Sequence, residues 1–220
     1  MYGPRMRLHL GLVVGCLVAC GSDGTPKFDA QNLGDMIFDD GFDNFPTGWS
    51  GTSAVPGVRS DSIGNPPPAM RFVSATLDSI ETSVSATYAD QGMVATADVL
   101  PLFDADGEMM FRFIAGVNDG VQPLQVVDFK VTRMNGVITK TLVNDVQVAN
   151  ADGFRTVRMR MDTTGTTLEV DGEAIPFIPT PRTFTTGMVY VGLAGDTSIS
   201  STGGVRGTLY VDNVRLYRVP

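Results

Sequence analysis

The sequence predicts an all-β domain made of two packed antiparallel sheets, and three observations lead to that prediction. Apolar and polar residues alternate through most of the chain, as in LQVVDFKVTRM at 124–134, which is the period of a half-buried strand. Turn pairs such as Asn135-Gly136 and Asp171-Gly172 separate these runs. No long window repeats its apolar residues with helical spacing. Roughly a dozen short strands of this kind are expected to pack as a β-sandwich.

The N-terminal residues differ from the rest of the chain. Arg5 and Arg7 precede an apolar run at 8–19, which is much shorter than the roughly 20 residues that a membrane-spanning helix needs. We interpret residues 1–19 as a secretion signal and exclude them from the fold. Residues 20–34 are small, polar and rich in turn formers, so they are predicted to be a flexible tether. Residues 35–220 are predicted to form the β-sandwich domain.

The end of the signal, Leu17-Val18-Ala19-Cys20, resembles the lipobox of bacterial lipoproteins. The resemblance implies cleavage before Cys20 and attachment of lipid there, so that acyl chains would hold the protein on a membrane that it does not span. The alternative is an ordinary signal peptide with a chance cysteine. The expected location is the bacterial cell envelope, and by analogy Gly21 after the cysteine favours the outer membrane over the inner one.

The composition of the processed chain excludes several functions. The full sequence has 16 basic and 24 acidic residues, and removal of residues 1–19 takes away Arg5, Arg7 and the only histidine, His9. The mature chain therefore has 14 basic and 24 acidic residues, a formal charge of −10, and one cysteine, Cys20. No disulfide, no zinc site built from histidine or cysteine, and no serine or cysteine nucleophile with a histidine base can form. The acidic balance also argues against nucleic acid as a partner.

Two segments at the ends of the domain, and one in its middle, carry a family resemblance. MIFDDGFD at 36–43 with Gly-Trp at 48–49, and LYVDNVRLY at 209–217, resemble the first and last strands of concanavalin A-like lectin/glucanase domains. FRTVRMRMDTTGTTLEVDGEA at 154–174 is similar to the paired strands of laminin G-like members. The resemblance implies a two-sheet β-sandwich of jelly-roll type.

The stretch LEVDGE contains three carboxylates with the E-x-D-x-E spacing of the catalytic strand in the glucanase members. The resemblance would make Glu169 and Glu173 a nucleophile and a general acid/base. However, Asp171-Gly172 predicts a turn, which would place Glu173 on the next strand. Clefts of those glucanases are also lined with tryptophans, and this chain has only Trp49. We therefore predict an ordinary hairpin, no catalytic residues and no enzyme activity, with a carboxylate-only glycoside hydrolase as the less favoured alternative.

A structural calcium site is a further expectation from the resemblance. In several jelly-roll families an aspartate of the closing strand meets the opening strand across a bound calcium ion. The matching residues here are Asp212 with Asp40 and Asp39, and carboxylate oxygens are ligands that calcium prefers. The alternative is that Asp212 caps backbone amides or reaches Arg215 or Arg218. No other cofactor is expected.

A carbohydrate-binding surface is expected to combine stacking aromatics with polar groups on a sheet face. The candidates are Arg112, Asp128 and Lys130 on central strands, with Tyr88 and Trp49 near loops. The alternative for Trp49 is a place in the core. The predicted function is an exported, lipid-anchored, non-catalytic binding module for carbohydrate or cell-surface glycan. The alternative is a structural or interaction lipoprotein that binds an envelope protein.

Overall fold

The computed structural model describes residues 33–45, 47–51, 58–74, 76–86, 92–117, 124–176, 187–198 and 204–219. Those residues form fifteen strands and no helix. In chain order the strands are β1 Met36–Asp40, β2 Ser50–Gly51, β3 Val58–Ser60, β4 Ala69–Phe72, β5 Asp78–Ala86, β6 Gly92–Phe103, β7 Gly107–Val117, β8 Gln125–Met134, β9 Val137–Val143, β10 Val146–Val148, β11 Arg155–Asp162, β12 Gly165–Val170, β13 Glu173–Ile175, β14 Gly187–Asp196 and β15 Gly207–Arg218. Accordingly, no element in this part of the chain is a long apolar helix of the kind that crosses a bilayer.

The strands form two antiparallel sheets. Sheet A has eight strands in the order β13-β12-β11-β6-β15-β4-β3, and β1 pairs with the second half of β15 beside β4. Sheet B has seven strands in the order β10-β9-β8-β7-β14-β5-β2. The prediction of an all-β sandwich with two antiparallel sheets is confirmed.

The two ends of the domain meet in sheet A, as expected for a first and a last strand. Phe38 lies opposite Leu216, and Asp40 lies opposite Val214. The register of β15 against β6 shifts between Asp212 and Arg215, which marks a β-bulge. This bulge divides β15 into a half that pairs with β4 and a half that pairs with β1.

The core lies between the sheets and follows the alternation of the sequence. On β7, Met109, Phe111 and Phe113 point inward and are at most 1% exposed, and the two phenylalanine rings stack at 6.4 Å between centroids. On β11, Met159 and Met161 are fully buried in the same core cluster. The strand period of two therefore decides which side chains fill the core and which reach the outer faces.

The outer faces of the two sheets differ in how far they are covered. On sheet A the outward residues Thr96, Asp98 and Leu100 of β6 are only 4%, 8% and 9% exposed. Leu100 belongs to a second, small apolar cluster with Ala69 and Tyr210, against which Ile63 and Phe154 pack from outside the strands. On sheet B the outward Glu81 is exposed, and Val126 of β8 is 39% exposed. Of the two, the outer face of sheet B is the more accessible.

Candidate functional site

The outer face of sheet B presents a set of polar and aromatic side chains across four neighbouring strands. These side chains share one parity, opposite to that of the core residues on the same strands. We call this surface the sheet B face and define it by Ser79 and Glu81 on β5, Tyr190, Gly192, Ala194 and Asp196 on β14, Glu108, Met110, Arg112 and Ile114 on β7, and Val126, Asp128, Lys130 and Thr132 on β8.

Arg112 and Asp128 form a two-bond ion pair in the middle of this face. They lie opposite each other on β7 and β8, and the guanidinium Nε and Nη2 donate to the two carboxylate oxygens at 2.7 and 3.1 Å. The hydrogen bond to Asp128 raises the pKa of Arg112 above its usual value. The backbone amide of Asp128 also donates to Oδ1 of Asn144 at 2.8 Å, which fixes this part of the strand. The two parallel hydrogen bonds fix the relative orientation of the two side chains, which are 33% and 27% exposed.

Lys130 lies on the same face, one strand repeat from Asp128. Its Nζ is 3.5 Å from Oδ1 of Asp145, in the turn between β9 and β10. The structure therefore brings Arg112, Asp128 and Lys130 together on one surface, as the sequence analysis expected. Tyr88, the fourth predicted ligand-binding residue, lies outside the described residues.

Tyr190 and Glu81 are part of this face, and the sequence analysis missed both. The Tyr190 ring lies over Gly192: a Cβ atom on that glycine would meet Cε1 at 2.8 Å, Oη at 3.0 Å and Cζ at 3.3 Å. The Tyr190 hydroxyl donates to Oε2 of Glu81 at 2.5 Å. Partial burial, and then the hydrogen bond to Glu81, raise the pKa of Tyr190 to about 12.

The sequence contains a signal for the Tyr190 platform, by which we mean the Tyr190 ring where it lies over Gly192. Tyr190 and Gly192 share a strand face, and a glycine inside a strand often marks a place where another group approaches the backbone closely. Glu81 could not be added to the pair, because it lies 109 positions earlier and meets β14 only through strand pairing.

An open depression of about 350 Å³ adjoins the platform at the edge of sheet B. It is lined by Gly48, Trp49, Ser50, Glu81 and Thr82. Glu81 therefore belongs both to this depression and to the Tyr190 platform. The two features form one surface that extends from β14 across β5 to β2.

Trp49 combines the two roles that the sequence left open. Its indole Nε1 donates to Oδ2 of Asp40 at 2.6 Å, and its ring packs 6.2 Å from Phe38 and 5.7 Å from Phe42. It packs against the core as a partly buried residue and also lines the depression. The ring is thus held in place by Asp40 and two phenylalanines.

The E-x-D-x-E carboxylates do not share a strand. Asp171 and Gly172 have φ angles of 52° and 81°, and this two-residue turn places Glu173 opposite Val170 on β13. Glu169 pairs with Arg158 on the neighbouring strand β11 at 3.3 Å. The interpretation of this stretch as a strand that runs into a hairpin turn is confirmed.

The carboxylate of Asp171 joins the turn between β12 and β13 to the neighbouring strand β11. It accepts the backbone amide of Thr156 at 2.9 Å and forms an ion pair with Arg155, whose side chain is 6% exposed. The guanidinium also donates to the carbonyl of Ala149 at 2.8 Å. The central carboxylate of the motif therefore neutralises a buried cation.

The three aspartates expected to bind calcium have separate protein partners. Both carboxylate oxygens of Asp40 accept hydrogen bonds, from the Phe42 amide and the Trp49 indole, each at 2.6 Å. Asp39 pairs with Arg215 at 2.9 Å. In the described part of the chain, no three histidine, cysteine, aspartate or glutamate side chains form a group that could hold a metal ion. The three residues as placed do not fit a common calcium site, and calcium binding by Asp212 itself stays a prediction.

Asp212 is instead buried among amides. It is 1% exposed and accepts the backbone amides of Asn65 and Asn213. Asp98 lies opposite it on β6 and accepts the side-chain amides of the same two asparagines at 3.2 and 3.0 Å. Burial raises the pKa of Asp212, which the two backbone amides oppose and the Asp98 carboxylate reinforces. This network attaches the loop around Asn65 to the outer face of sheet A.

Comparisons with known proteins find similarity in structure. No known family profile matches the sequence, and no curated protein matches it either. The carbohydrate recognition domain of Emp47p aligns over 87% of this chain and 99% of its own, with 11% identity and a TM-score of 0.53. LamAcat from Zobellia galactanivorans aligns over 84% of this chain and 98% of its own, with 12% identity and a TM-score of 0.52. A structure from work on endo-acting O-glycanases of the human gut microbiota aligns over 84% and 100%, with 11% identity and a TM-score of 0.53.

This chain has the concanavalin A-like jelly-roll fold. The resemblance stated from the two terminal strands is confirmed at the level of the fold. At these sequence identities the similarity concerns the fold alone, and function has to be argued from the residues of the site.

Proposed function

We propose that this protein is an exported, lipid-anchored, non-catalytic carbohydrate-binding module, and that the sheet B face binds the glycan. One observation carries the proposal: the Tyr190 ring lies over Gly192, and its hydroxyl is hydrogen-bonded to Glu81. Gly192 lies opposite Ile114 of β7, the strand that also holds Arg112 of the Arg112–Asp128 pair. A pyranose ring can stack its C–H face on such an aromatic platform, and its hydroxyls can bond to the surrounding carboxylates.

The spacing of carboxylates on this face supports a binding role over hydrolysis. Glu81 on β5 lies opposite Gly192 of β14 and is separated from Asp128 on β8 by two strands, β14 and β7. Three strand spacings amount to about 14 Å, whereas the two carboxyls of a glycosidase stand roughly 5–10 Å apart. Asp196 is four residues along β14 from Gly192, or about 13 Å. Among the described residues, therefore, neither carboxylate is placed to act with Glu81.

The proposed location rests on the N-terminal sequence. Cys20 follows a basic and apolar segment of signal length, and lipid on it would hold the domain at the outer membrane of a bacterium. Replacing Cys20→Ala is expected to move the protein from the membrane fraction to the soluble periplasmic fraction and to abolish labelling by a fatty-acid probe. Unchanged membrane association of the variant would contradict the lipid anchor.

The glycan proposal is tested with the processed lipoprotein in detergent, applied to an array of polysaccharides. Arg112→Ala is the test variant and Arg160→Ala is its matched control. Both arginine side chains are 33% exposed and pair with an aspartate, but Arg160 lies on β11 of sheet A and pairs with Asp162. We expect Arg112→Ala to weaken glycan binding by about tenfold, because the freed Asp128 loses its fixed position. Arg160→Ala is expected to leave binding within about twofold.

The result also separates the two candidate partners. Specific glycan binding that depends on Arg112 supports the carbohydrate module. Absence of binding to every glycan by the folded protein would refute it and favour an envelope protein as partner. Equal loss in both arginine variants would contradict the placement of the site on sheet B.

A further inference from the structure

The cations nearest the Tyr190 platform already have partners. Two nitrogens of the Arg112 guanidinium, Nε and Nη2, donate to the Asp128 carboxylate at 2.7 and 3.1 Å. Lys130 pairs with Asp145 at the neighbouring turn. An arginine recognises a carboxylate or sulfate through this same two-donor fork. Because Asp128 already accepts both of these donors, the Arg112 guanidinium is not free to bind an anionic ligand.

Three carboxylates of the sheet B face, in contrast, have hydrogen bonds but no ion pair in the part of the chain that the structure describes. Glu81 accepts the Tyr190 hydroxyl, Glu108 accepts the Thr132 hydroxyl at 3.3 Å, and Asp196 accepts the amide and hydroxyl of Ser198 at 2.9 and 2.8 Å. Among the described residues, the remaining cation of this face is Lys140, on β9 opposite Thr132. It is three strand spacings from Tyr190 across the sheet, about 14 Å, and is also offset along the strands by the distance from Glu108 to Gly116, about 27 Å.

We propose that the sheet B face selects uncharged glycans and rejects glycans that carry carboxylate or sulfate groups. The inference rests on the proposed function of that face. The hydroxyl groups of a neutral sugar can donate hydrogen bonds to Glu81, whose other partner is the Tyr190 hydroxyl. An acidic sugar stacked on Tyr190 would bring a second negative charge next to Glu81, and no cation of the described strands is available there to compensate it. The charge of −10 on the mature chain adds repulsion at longer range.

The experiment compares pairs of polysaccharides that share a backbone and differ only in charge. Each neutral polymer is measured beside its sulfated and carboxymethylated forms, with the processed lipoprotein in detergent, at low and at physiological ionic strength. The acidic forms are expected to bind at least about tenfold more weakly at low salt, and the difference is expected to shrink as salt screens the charges.

Two variants assign the effect to this face. Glu81→Gln removes the charge and retains one oxygen acceptor, so neutral glycans are expected to bind more weakly, because an amide oxygen accepts a weaker hydrogen bond than a carboxylate. The ratio of acidic-form to neutral-form affinity is expected to rise, because the repulsion by Glu81 is gone. Glu173→Gln is the matched control, because Glu173 is an exposed glutamate on the hairpin at the edge of sheet A. Its loss is expected to leave the affinity for both neutral and acidic glycans unchanged. Circular dichroism of each variant confirms that the sandwich is folded.

The outcomes separate the inference from the function on which it rests. Acidic forms that bind as tightly as neutral ones at low salt would overturn the charge selectivity and leave the carbohydrate module standing. An equal gain of acidic ligands in Glu173→Gln would overturn the role of Glu81, since a general change in net charge would then explain the result. Failure of every glycan to bind would overturn both proposals.

Discussion

The substitution Gly192→Ala tests the Tyr190 platform without removing the tyrosine. The added methyl group would lie 2.8 Å from Cε1 and 3.0 Å from Oη of Tyr190, closer than ordinary van der Waals contact. Both atoms are at the free end of a flexible side chain, so the ring can lift while the strand stays in place. Gly192 does not have a left-handed φ, which means that the backbone accepts alanine without strain. The ring is expected to leave Glu81.

The effect on stability is expected to be small. Loss of the hydrogen bond from the Tyr190 hydroxyl costs about 0.5–1.5 kcal/mol, and replacing a strand glycine by alanine returns about 0.5–1 kcal/mol. The net change lies within about 1 kcal/mol, or about 4 °C in Tm for a domain of this size. Glycan affinity, however, depends on the position of the ring. An aromatic contact of about 1–1.5 kcal/mol corresponds to a loss of about five- to tenfold.

Two measurements follow the ring directly. Near-ultraviolet absorbance titration reports the ionisation of the phenol, and the pKa of Tyr190 is expected to fall from about 12 toward the ordinary tyrosine value of 10.0 in Gly192→Ala. Affinity for a glycan found on the array is expected to fall in parallel. Gly41→Ala is the control, because its added methyl would meet only Oδ1 of Asp212 at 3.9 Å and would touch neither Tyr190 nor Glu81. An unchanged phenol pKa together with unchanged affinity would refute the platform.

Three further predictions concern pH, the hairpin and calcium. The pKa of Tyr190 is raised in the folded protein, so the stabilising contribution of this group is complete below pH 10.0 and is lost as the pH rises toward about 12. In that pH window, the Tm of Tyr190→Phe should therefore depend less on pH than the Tm of the unchanged protein. Asp171→Ala leaves the buried Arg155 without its carboxylate, which is expected to cost about 2–4 kcal/mol and lower Tm by about 5–10 °C, whereas Asp171→Asn should lose less because it retains an oxygen for the turn. The calcium prediction for Asp212 is checked by chelation: a bound ion would stabilise the folded protein, so its removal is expected to lower Tm by several degrees, and an unchanged Tm would contradict calcium there.

Much of the fold could be predicted because the strand signal is local. The alternation at 124–134 became β8 from Gln125 to Met134, and the turn pair Asp171-Gly172 became a two-residue turn with both φ angles positive. These features depend on neighbouring residues, whose period and turn chemistry are visible in a single sequence. The pairing of β1 with β15 was expected only through a resemblance, since 176 positions separate Asp39 from Arg215.

The site could be predicted only where it lies on adjacent strands. Arg112 and Asp128 belong to β7 and β8, which follow each other in sequence and pair directly. Tyr190 and Glu81 come from strands that are distant in sequence, so their hydrogen bond depends on the order of strands in sheet B. Alternation also assigns a residue to one of two faces without saying which face is open. For Asp212 that question was decided by the loop around Asn65.

The contrast between the two groups of carboxylates explains where function is expected on this sandwich. Glu169 and Asp171 have a spacing that suggests catalysis. However, each forms an ion pair with an arginine, and Asp171 also accepts the Thr156 amide, so both carboxylates have structural roles. Glu81 belongs to no motif, yet it is exposed, carries no ion pair among the described residues and contacts an aromatic ring on the accessible face. Water solvates an exposed carboxylate at this position, and the carboxylate can therefore exchange that water for the hydroxyl of a ligand. On this fold the exposed carboxylate beside Tyr190 is therefore the better guide to the proposed binding site than the E-x-D-x-E motif.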